Sequence, residues 1–223
     1  MTVQRFIVNP LEENCWAVPG DDGTCAIIDP GQLAPEEMQA LERWLQENGL
    51  RPDAILLTHS HMDHVYGVAG LQRRYGIPVY MSPEDLSVLE YFDRVKKFGF
   101  PVPDTSFTIT PVSDGQSVKA GGREWQAIAT PGHTPGGICW YLRPEWALFT
   151  GDTLFAGAIG RTDLFGGDYD ALIVSIMEKL MALPGETEVL PGHGSTSTIG
   201  TERVTNPFLE PFNEREEIAE LNI

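Results

Sequence analysis

Ala54-Ile55-Leu56-Leu57-Thr58-His59-Ser60-His61-Met62-Asp63-His64 is the stretch that decides how this chain folds. A short apolar run, read as a strand over Ala54 to Thr58, opens directly into three imidazoles and a carboxylate within six positions. His59, His61 and Asp63 are two residues apart, so an extended backbone points them to one side. His64 breaks that period, and a helix starting near Asp63 turns it elsewhere, so the segment can feed two adjacent ions. The chain has five histidines, and the other two, His133 and His193, sit in Pro-Gly-His turns that also follow apolar runs. Imidazole and carboxylate donors together suit zinc, iron or manganese. The histidines therefore read as one metal centre.

Outward from this segment the pattern repeats. Arg5 to Val8, Asn14 to Val18 and Thr24 to Ile28 read as strands, with turn signals at Asn9-Pro10 and at Pro19-Gly20-Asp21-Asp22-Gly23. Pro35 to Asn48 has helical spacing, with Met38, Leu41, Trp44 and Leu45 on one face and Gly49 as its stop. Val65 to Tyr75 and Glu84 to Lys97 read as helices on either side of a strand at Val79 to Met81. In the second half, strands are expected at Phe107 to Thr110, Gln116 to Val118, Trp125 to Thr130, Gly137 to Leu142, Trp146 to Thr150 and Thr187 to Leu190. Asp170 to Ala182 reads as an amphipathic helix, and Glu214 to Leu221 carries a short helical pattern in an acidic tail. Strands and helices followed by strands and helices favour an α/β fold of two packed sheets with helices outside, although periodicity alone leaves other layered arrangements open. Four polar clusters, at His59 to His64, His133, Asp152 and His193, each come immediately after a strand. Sites in layered α/β proteins gather at the carboxyl ends of strands, so these residues are expected to meet at one edge.

Composition narrows the functional classes. At 223 residues and 42% hydrophobic, with no linker-like segment, the chain is expected to form one domain over residues 1–223. The formal net charge is −17, from 15 basic and 32 acidic residues, a field that repels phosphate backbones and sets nucleic acid aside. Cys15, Cys25 and Cys139 lie in apolar strand contexts and read as buried free thiols of a reducing compartment. No secretory leader and no membrane-spanning run is visible, so the expectation is a soluble cytoplasmic protein.

Each remaining donor has local support. His133 lies in Thr130-Pro131-Gly132-His133-Thr134-Pro135-Gly136-Gly137, and His193 in Leu190-Pro191-Gly192-His193-Gly194, where glycine lets the backbone approach closely. Asp152, in Thr150-Gly151-Asp152-Thr153, has two oxygens with which to bridge two ions. Taken singly, a buried histidine is a core residue, Asp63 a helix-start carboxylate and Asp152 a turn residue. Taken together, they are better explained by metal.

In this order and spacing, His59-x-His61-x-Asp63-His64, Thr130-Pro-Gly-His133, Gly151-Asp152 and Pro191-Gly-His193 resemble the metallo-β-lactamase superfamily over nearly the whole chain. The resemblance implies an αββα four-layer sandwich with the site at one sheet edge. It further implies that His59, His61 and His133 hold a first divalent ion, that Asp63, His64 and His193 hold a second, and that Asp152 bridges them, with zinc expected and iron or manganese as alternatives. Asp29, in Ile27-Ile28-Asp29-Pro30-Gly31, matches an early family motif and would orient a ligand from behind.

A bound divalent ion lowers the pKa of water from about 15.7 to about 7, so hydroxide is available without a protein nucleophile. The sequence has no Gly-x-Ser-x-Gly elbow, and every histidine is committed to metal. Hydrolysis at a carbonyl or phosphoryl centre follows, with Asp63 and Asp152 as catalytic carboxylates, Asp63 orienting the hydroxide. Thr153 to Asp168 and Asn206-Pro207-Phe208-Leu209 resemble short glyoxalase-II-like hydrolases, which implies a glutathione thioester such as S-lactoylglutathione. Arg161 either meets an anionic substrate or locks its loop by pairing with Asp163 or Asp168. Only thirty residues follow His193, so the helical C-terminal domain of the full-length enzymes is expected to be absent. The chief alternative is a persulfide dioxygenase using one iron on His59, His133 and Asp152. A β-lactamase is disfavoured because the commonest zinc types carry cysteine where Asp152 stands, and a ribonuclease by the acidity.

Overall fold

Strict alternation along the central strands sorts their side chains into different cores, and this builds the layers. The computed structural model describes residues 3–92 and 101–212. β1 (Gln4–Val8), β2 (Glu13–Pro19), β3 (Thr24–Ile28), β4 (Arg51–Leu56), β5 (Val79–Met81) and β6 (Ile109–Pro111) form a six-stranded sheet in that order. Its first three strands are antiparallel, and β3 to β6 run parallel. The second half supplies β7 (Ser117–Ala120), β8 (Arg123–Ala129), β9 (Ile138–Leu142), β10 (Ala147–Gly151), β11 (Leu154–Phe155), β12 (Ala158–Ile159), β13 (Glu188–Pro191) and β14 (Ser197–Thr198). Six of these form a second sheet ordered β14-β13-β10-β9-β8-β7, and β11 pairs with β12 alone. The helices are α1 (Pro35–Glu47), α2 (Met62–Val65), α3 (Val68–Tyr75), α4 (Leu86–Phe92), α5 (Tyr169–Val174) and α6 (Ile199–Thr205).

Cys15, Ala17, Cys25, Ile27 and Ile55 of the first sheet pack outward against Leu41 and Leu45 of α1 and Val68 and Leu71 of α3. Their neighbours Trp16, Val18, Ala26, Ile28, Ala54 and Leu56 pack inward against Trp125, Ala127, Ile138, Trp140 and Phe149 of the second sheet. Cys139, Tyr141, Leu148 and Val189 then face outward onto Leu172, Ile173 and Ile176. Helix, sheet, sheet, helix is the αββα sandwich expected from the resemblance. Each fully buried Leu, Ile, Val or Phe contributes about 1.5–3 kcal/mol, so alternation that fills three cores at once holds the register firmly. A one-residue slip would exchange the cores. All three cysteines are free and buried, as expected.

Element ends differ from the sequence reading where tertiary contacts take over. Val65 to Tyr75 is split at Gly67, whose N–H donates to the Pro30 carbonyl at 2.7 Å. Trp146 is not in a strand: it adopts φ 50° after the turn Arg143–Glu145, and β10 begins one residue later. The helix expected at Asp170 to Ala182 starts at Tyr169, where the Asp168 side chain accepts from the Ala171 N–H at 3.0 Å, and its second half is π-helical over Ser175–Leu180. Glu84 to Lys97 begins as the turn Pro83–Asp85 and continues as α4. Its last residues, like the pattern at Glu214 to Leu221, lie outside the described residues.

The topology gathers the strand ends. Parallel β3 and β4 finish side by side, as do parallel β10 and β13, and Ala129 at the end of β8 pairs with Ile138. Bonds between the sheets close this edge: Ile138 N–H to the Thr58 carbonyl at 2.7 Å, Trp140 Nε1–H to the Leu57 carbonyl at 2.9 Å, and Trp16 Nε1–H to the Pro191 carbonyl at 3.1 Å. Among the described residues no helix is long and apolar enough to cross a membrane.

Candidate metal centre

The loops after β4, β8, β10 and β13 bring all seven expected donors to this edge. His59, His61 and His133 form one group, and Asp63, His64 and His193 another, with the ligand atoms of each group within 4.8 Å of one another. Asp152 stands between them. Its Oδ1 lies 3.4 Å from His64 Nε2, and its Oδ2 lies 3.5 Å from His133 Nε2 and 3.6 Å from His193 Nε2. Asp63 Oδ2 is 3.2 Å from His193 Nε2, and His61 Nδ1 is 2.8 Å from His133 Nε2. A third combination, Asp29, His59 and His64, is also compact, but Asp29 spends its oxygens elsewhere. They accept from the Thr58 N–H at 2.7 Å and the Thr58 hydroxyl at 2.6 Å.

The far side of four of the five rings is held by a separate partner. His64 Nδ1 lies 3.1 Å from Asp29 Oδ2, and His59 Nδ1 lies 3.0 Å from the Thr58 hydroxyl. His133 Nδ1 donates to the Arg161 carbonyl at 2.7 Å, and His193 Nδ1 to the Leu11 carbonyl at 3.1 Å. Such outer partners fix the tautomer and aim the other nitrogen. Asp29, expected to orient a ligand from behind, lies beside the His64 ring. Arg161 acts on His133 through its backbone, while its guanidinium makes two 2.7 Å bonds to the Asp163 carboxylate at the surface.

The donor set fits divalent ions. His59 Nε2, His64 Nε2 and Asp152 Oδ1 are buried and without a hydrogen-bond partner, a costly condition for polar atoms that a cation among them would relieve. Burial holds His59 well below the ordinary imidazole range and pulls His61 down to about 3, so both present unprotonated donors. Burial opposes ionisation of Asp152, but the facing His64 outweighs it and holds the carboxyl well below its usual range. Asp63 is lowered in the same way against burial, chiefly by His64.

Glycines make the convergence possible at two points. A Cβ on Gly192 would lie 2.4 Å from Asp152 Oδ1 and 2.7 Å from His64 Cε1. Gly151 has φ 47°, and a Cβ there would strike the Thr58 hydroxyl at 2.1 Å.

Several supporting residues carried no sequence signal. Asp85 is fully buried and accepts from the Ser60 N–H at 2.8 Å, the Gly136 N–H at 2.6 Å and the Thr134 hydroxyl at 3.1 Å, tying the His59–His64 loop to the His133 loop. The Asn14 amide donates to the Pro191 and Gly194 carbonyls at 3.0 Å each and steadies the His193 turn. Glu13 is buried 3.8 Å from His64 Nδ1, and burial raises its carboxyl well above the usual range.

The donors open into a cleft of about 630 Å³ whose lining includes His61, Asp63, His133, Asp152 and His193 together with Leu11, Met62, Tyr91, Leu164 and Phe165.

Comparisons with known proteins agree with this geometry. The sequence model of the Metallo-beta-lactamase superfamily matches residues 8–193. Hydroxyacylglutathione hydrolase GloC of Haemophilus influenzae is 37% identical, over 94% of this chain and 98% of the relative. The probable metallo-hydrolase YqgX of Bacillus subtilis is 36% identical, over 96% of this chain and 100% of its own. Among solved structures, the BLEG-1 B3 metallo-beta-lactamase superposes with a TM-score of 0.85 at 36% identity, covering 93% of this chain and 99% of that one. TTHA1623 in a di-iron-bound form superposes with a TM-score of 0.81 at 40% identity, covering 92% and 100%. By its sequence, its layered fold and the donors gathered at its sheet edge, the chain belongs to the metallo-β-lactamase superfamily of metal-dependent hydrolases.

Proposed function

We propose that this protein is a binuclear metal-dependent thioester hydrolase of the glyoxalase-II-like kind, acting on a glutathione thioester such as S-lactoylglutathione. The observation that carries the reading is the pair of donor triads on either side of Asp152, with His59 Nε2, His64 Nε2 and Asp152 Oδ1 buried and without a hydrogen-bond partner. His59, His61 and His133 would hold one ion, Asp63, His64 and His193 the other, and Asp152 both; zinc is the first candidate, with iron or manganese as alternatives. Ions bound there would supply Lewis acidity and hydroxide at neutral pH.

The chain's own residues do the rest. Asp63 faces the cleft and orients the attacking water. A C–O bond forms at the thioester carbonyl, the C–S bond breaks, and the departing thiolate takes the proton. No thiol competes as nucleophile, because burial pushes Cys25 up to about 12 and Cys139 up to about 11, and Cys15 is also fully buried. Free cysteines and the absence of an apolar spanning helix among the described residues are compatible with a reducing, cytoplasmic setting. The similarity to GloC supports the thioester. The similarity to BLEG-1 supports a second reading, β-lactam hydrolysis, which the sequence alone had set aside. A single-iron dioxygenase would leave Asp63, His64 and His193 without a role.

The test is parallel assay of metal-loaded protein on S-lactoylglutathione, a chromogenic cephalosporin and glutathione persulfide with oxygen uptake. Thioester cleavage should dominate, and His61→Ala should lose metal and most turnover. Wild-type activity in that variant would overturn the reading.

A further inference from the structure

The cleft has one wall that metal binding does not explain. Tyr91 at the end of α4 and Phe165 in the loop after β12 stack face to face, with ring centroids 4.5 Å apart and planes 6° from parallel. They line the same cleft as His61, His133 and Asp152, together with Leu11, Met62 and Leu164. Apolar side chains of this size are ordinarily buried, yet Leu11 is 43% exposed, Leu164 42% and Phe165 44%. Exposed apolar surface gathered at the mouth of a polar site marks a ligand-binding groove rather than core. The nearby Arg161 guanidinium is already paired with Asp163, so this wall is a neutral, apolar surface facing whatever extends from the scissile bond.

We infer that the Tyr91–Phe165 wall is a specificity subsite for an aromatic or branched apolar group carried by the substrate within a few bonds of the scissile carbonyl. The inference rests on the thioesterase reading and refines its substrate class. A three-carbon hydroxyacyl group leaves the wall uncovered, whereas a ring packs against the stacked pair and shields it from water. Hydrophobic pockets discriminate by about 10–200-fold per small apolar increment, so a preference of about tenfold or more is expected. The apolar group sits on either the acyl or the thiol side, and the probes distinguish the two.

Metal-loaded protein is assayed for kcat and KM on S-acetyl-N-acetylcysteamine, S-phenylacetyl-N-acetylcysteamine, S-benzyl thioacetate and S-lactoylglutathione. One of the two aryl probes should exceed S-acetyl-N-acetylcysteamine by about tenfold or more in kcat/KM. In Phe165→Ala and Tyr91→Ala that ratio should collapse toward one, mainly through KM, and Phe165→Leu should keep part of it. Metal content and circular dichroism of each variant separate loss of the subsite from loss of fold. Equal kcat/KM for the aryl and acetyl probes in the wild type overturns the inference, as does an aryl preference that survives in both alanine variants. Cleavage of S-lactoylglutathione without an aryl preference would sink the subsite alone, and cleavage of no thioester would sink the thioesterase reading with it.

Discussion

Asp85 offers a sharp test, because it touches no proposed ligand and yet joins the two loops that carry five of them. Its carboxylate accepts two buried backbone N–H groups, from Ser60 and Gly136, and the Thr134 hydroxyl. In Asp85→Ala the hydroxyl can rotate to another partner, but the two N–H groups cannot. Each buried donor left unsatisfied costs about 1–3 kcal/mol, so the variant should lose about 2–6 kcal/mol. A surface substitution changes stability by about 0.5 kcal/mol or less. For a chain of this length 1 kcal/mol corresponds to about 2–4 °C, so a mid-range loss of about 4 kcal/mol lowers Tm by about 8–16 °C. Asp85→Asn keeps one acceptor oxygen but turns an NH2 toward the other donor, and should fall about halfway. Because the loops would separate, metal affinity should drop by about 10–100-fold, the range seen when groups that orient ligands are removed. Urea titration gives the first quantity, and competition with a chromogenic chelator gives the second. If Asp85→Ala matched the wild type in both, the role assigned to this residue would be wrong.

Other perturbations separate backbone from side-chain roles. Arg161→Ala should keep its metal and lose about 1 kcal/mol or less, since His133 is held by the Arg161 carbonyl; loss of metal would contradict this. Gly192→Ala should cost about 1–3 kcal/mol and deplete metal, because the added Cβ meets Asp152 and His64 while Asn14 N–H and the Gly151 carbonyl pin the backbone at 2.7 and 2.8 Å. Full metal occupancy in that variant would argue against Asp152 as a bridge. His64 and His193 are held above the ordinary imidazole value of 6.5: burial opposes this, but Asp152 and Asp63 outweigh it at His64, and the hydrogen bond to Asp63 does so at His193. Their protonation therefore stabilises the metal-free protein below about pH 6.5, and that contribution fades as pH rises through the raised values. Metal must displace these protons, so the Tm gain on adding metal should grow from about pH 6 to about pH 8. A gain independent of pH would refute the assignment.

The convergence of the candidate donors on one sheet edge was legible because chemistry and spacing coincide. Imidazoles at His59 and His61, with Asp63, His64, His133 and His193, each follow an apolar strand, and parallel pairing of β3 with β4 and of β10 with β13 brings the strand ends together. The central strands were legible for a related reason, since residues such as Trp16 to Val18 are apolar on both faces. What escaped depends on contacts remote in sequence. Asp85 sits in Ser82-Pro83-Glu84-Asp85, where a carboxylate reads as an ordinary helix start. Asn14 looks like a strand residue until the Pro191 carbonyl is placed beside it. The Arg161 carbonyl that orients His133 has no signature at all, because every residue carries a carbonyl. Trp146 reads as a strand residue by its aromatic character but serves as a left-handed turn.

The central claim is that two ions share this sheet edge through Asp152. Elemental analysis of purified, metal-loaded protein, paired with anomalous diffraction from its crystals, tests it most directly. Two ions per chain, about 3.5–4 Å apart and both contacted by Asp152, are the predicted result. A single ion on His59, His133 and Asp152, with Asp63, His64 and His193 still bonded only to protein, would contradict it.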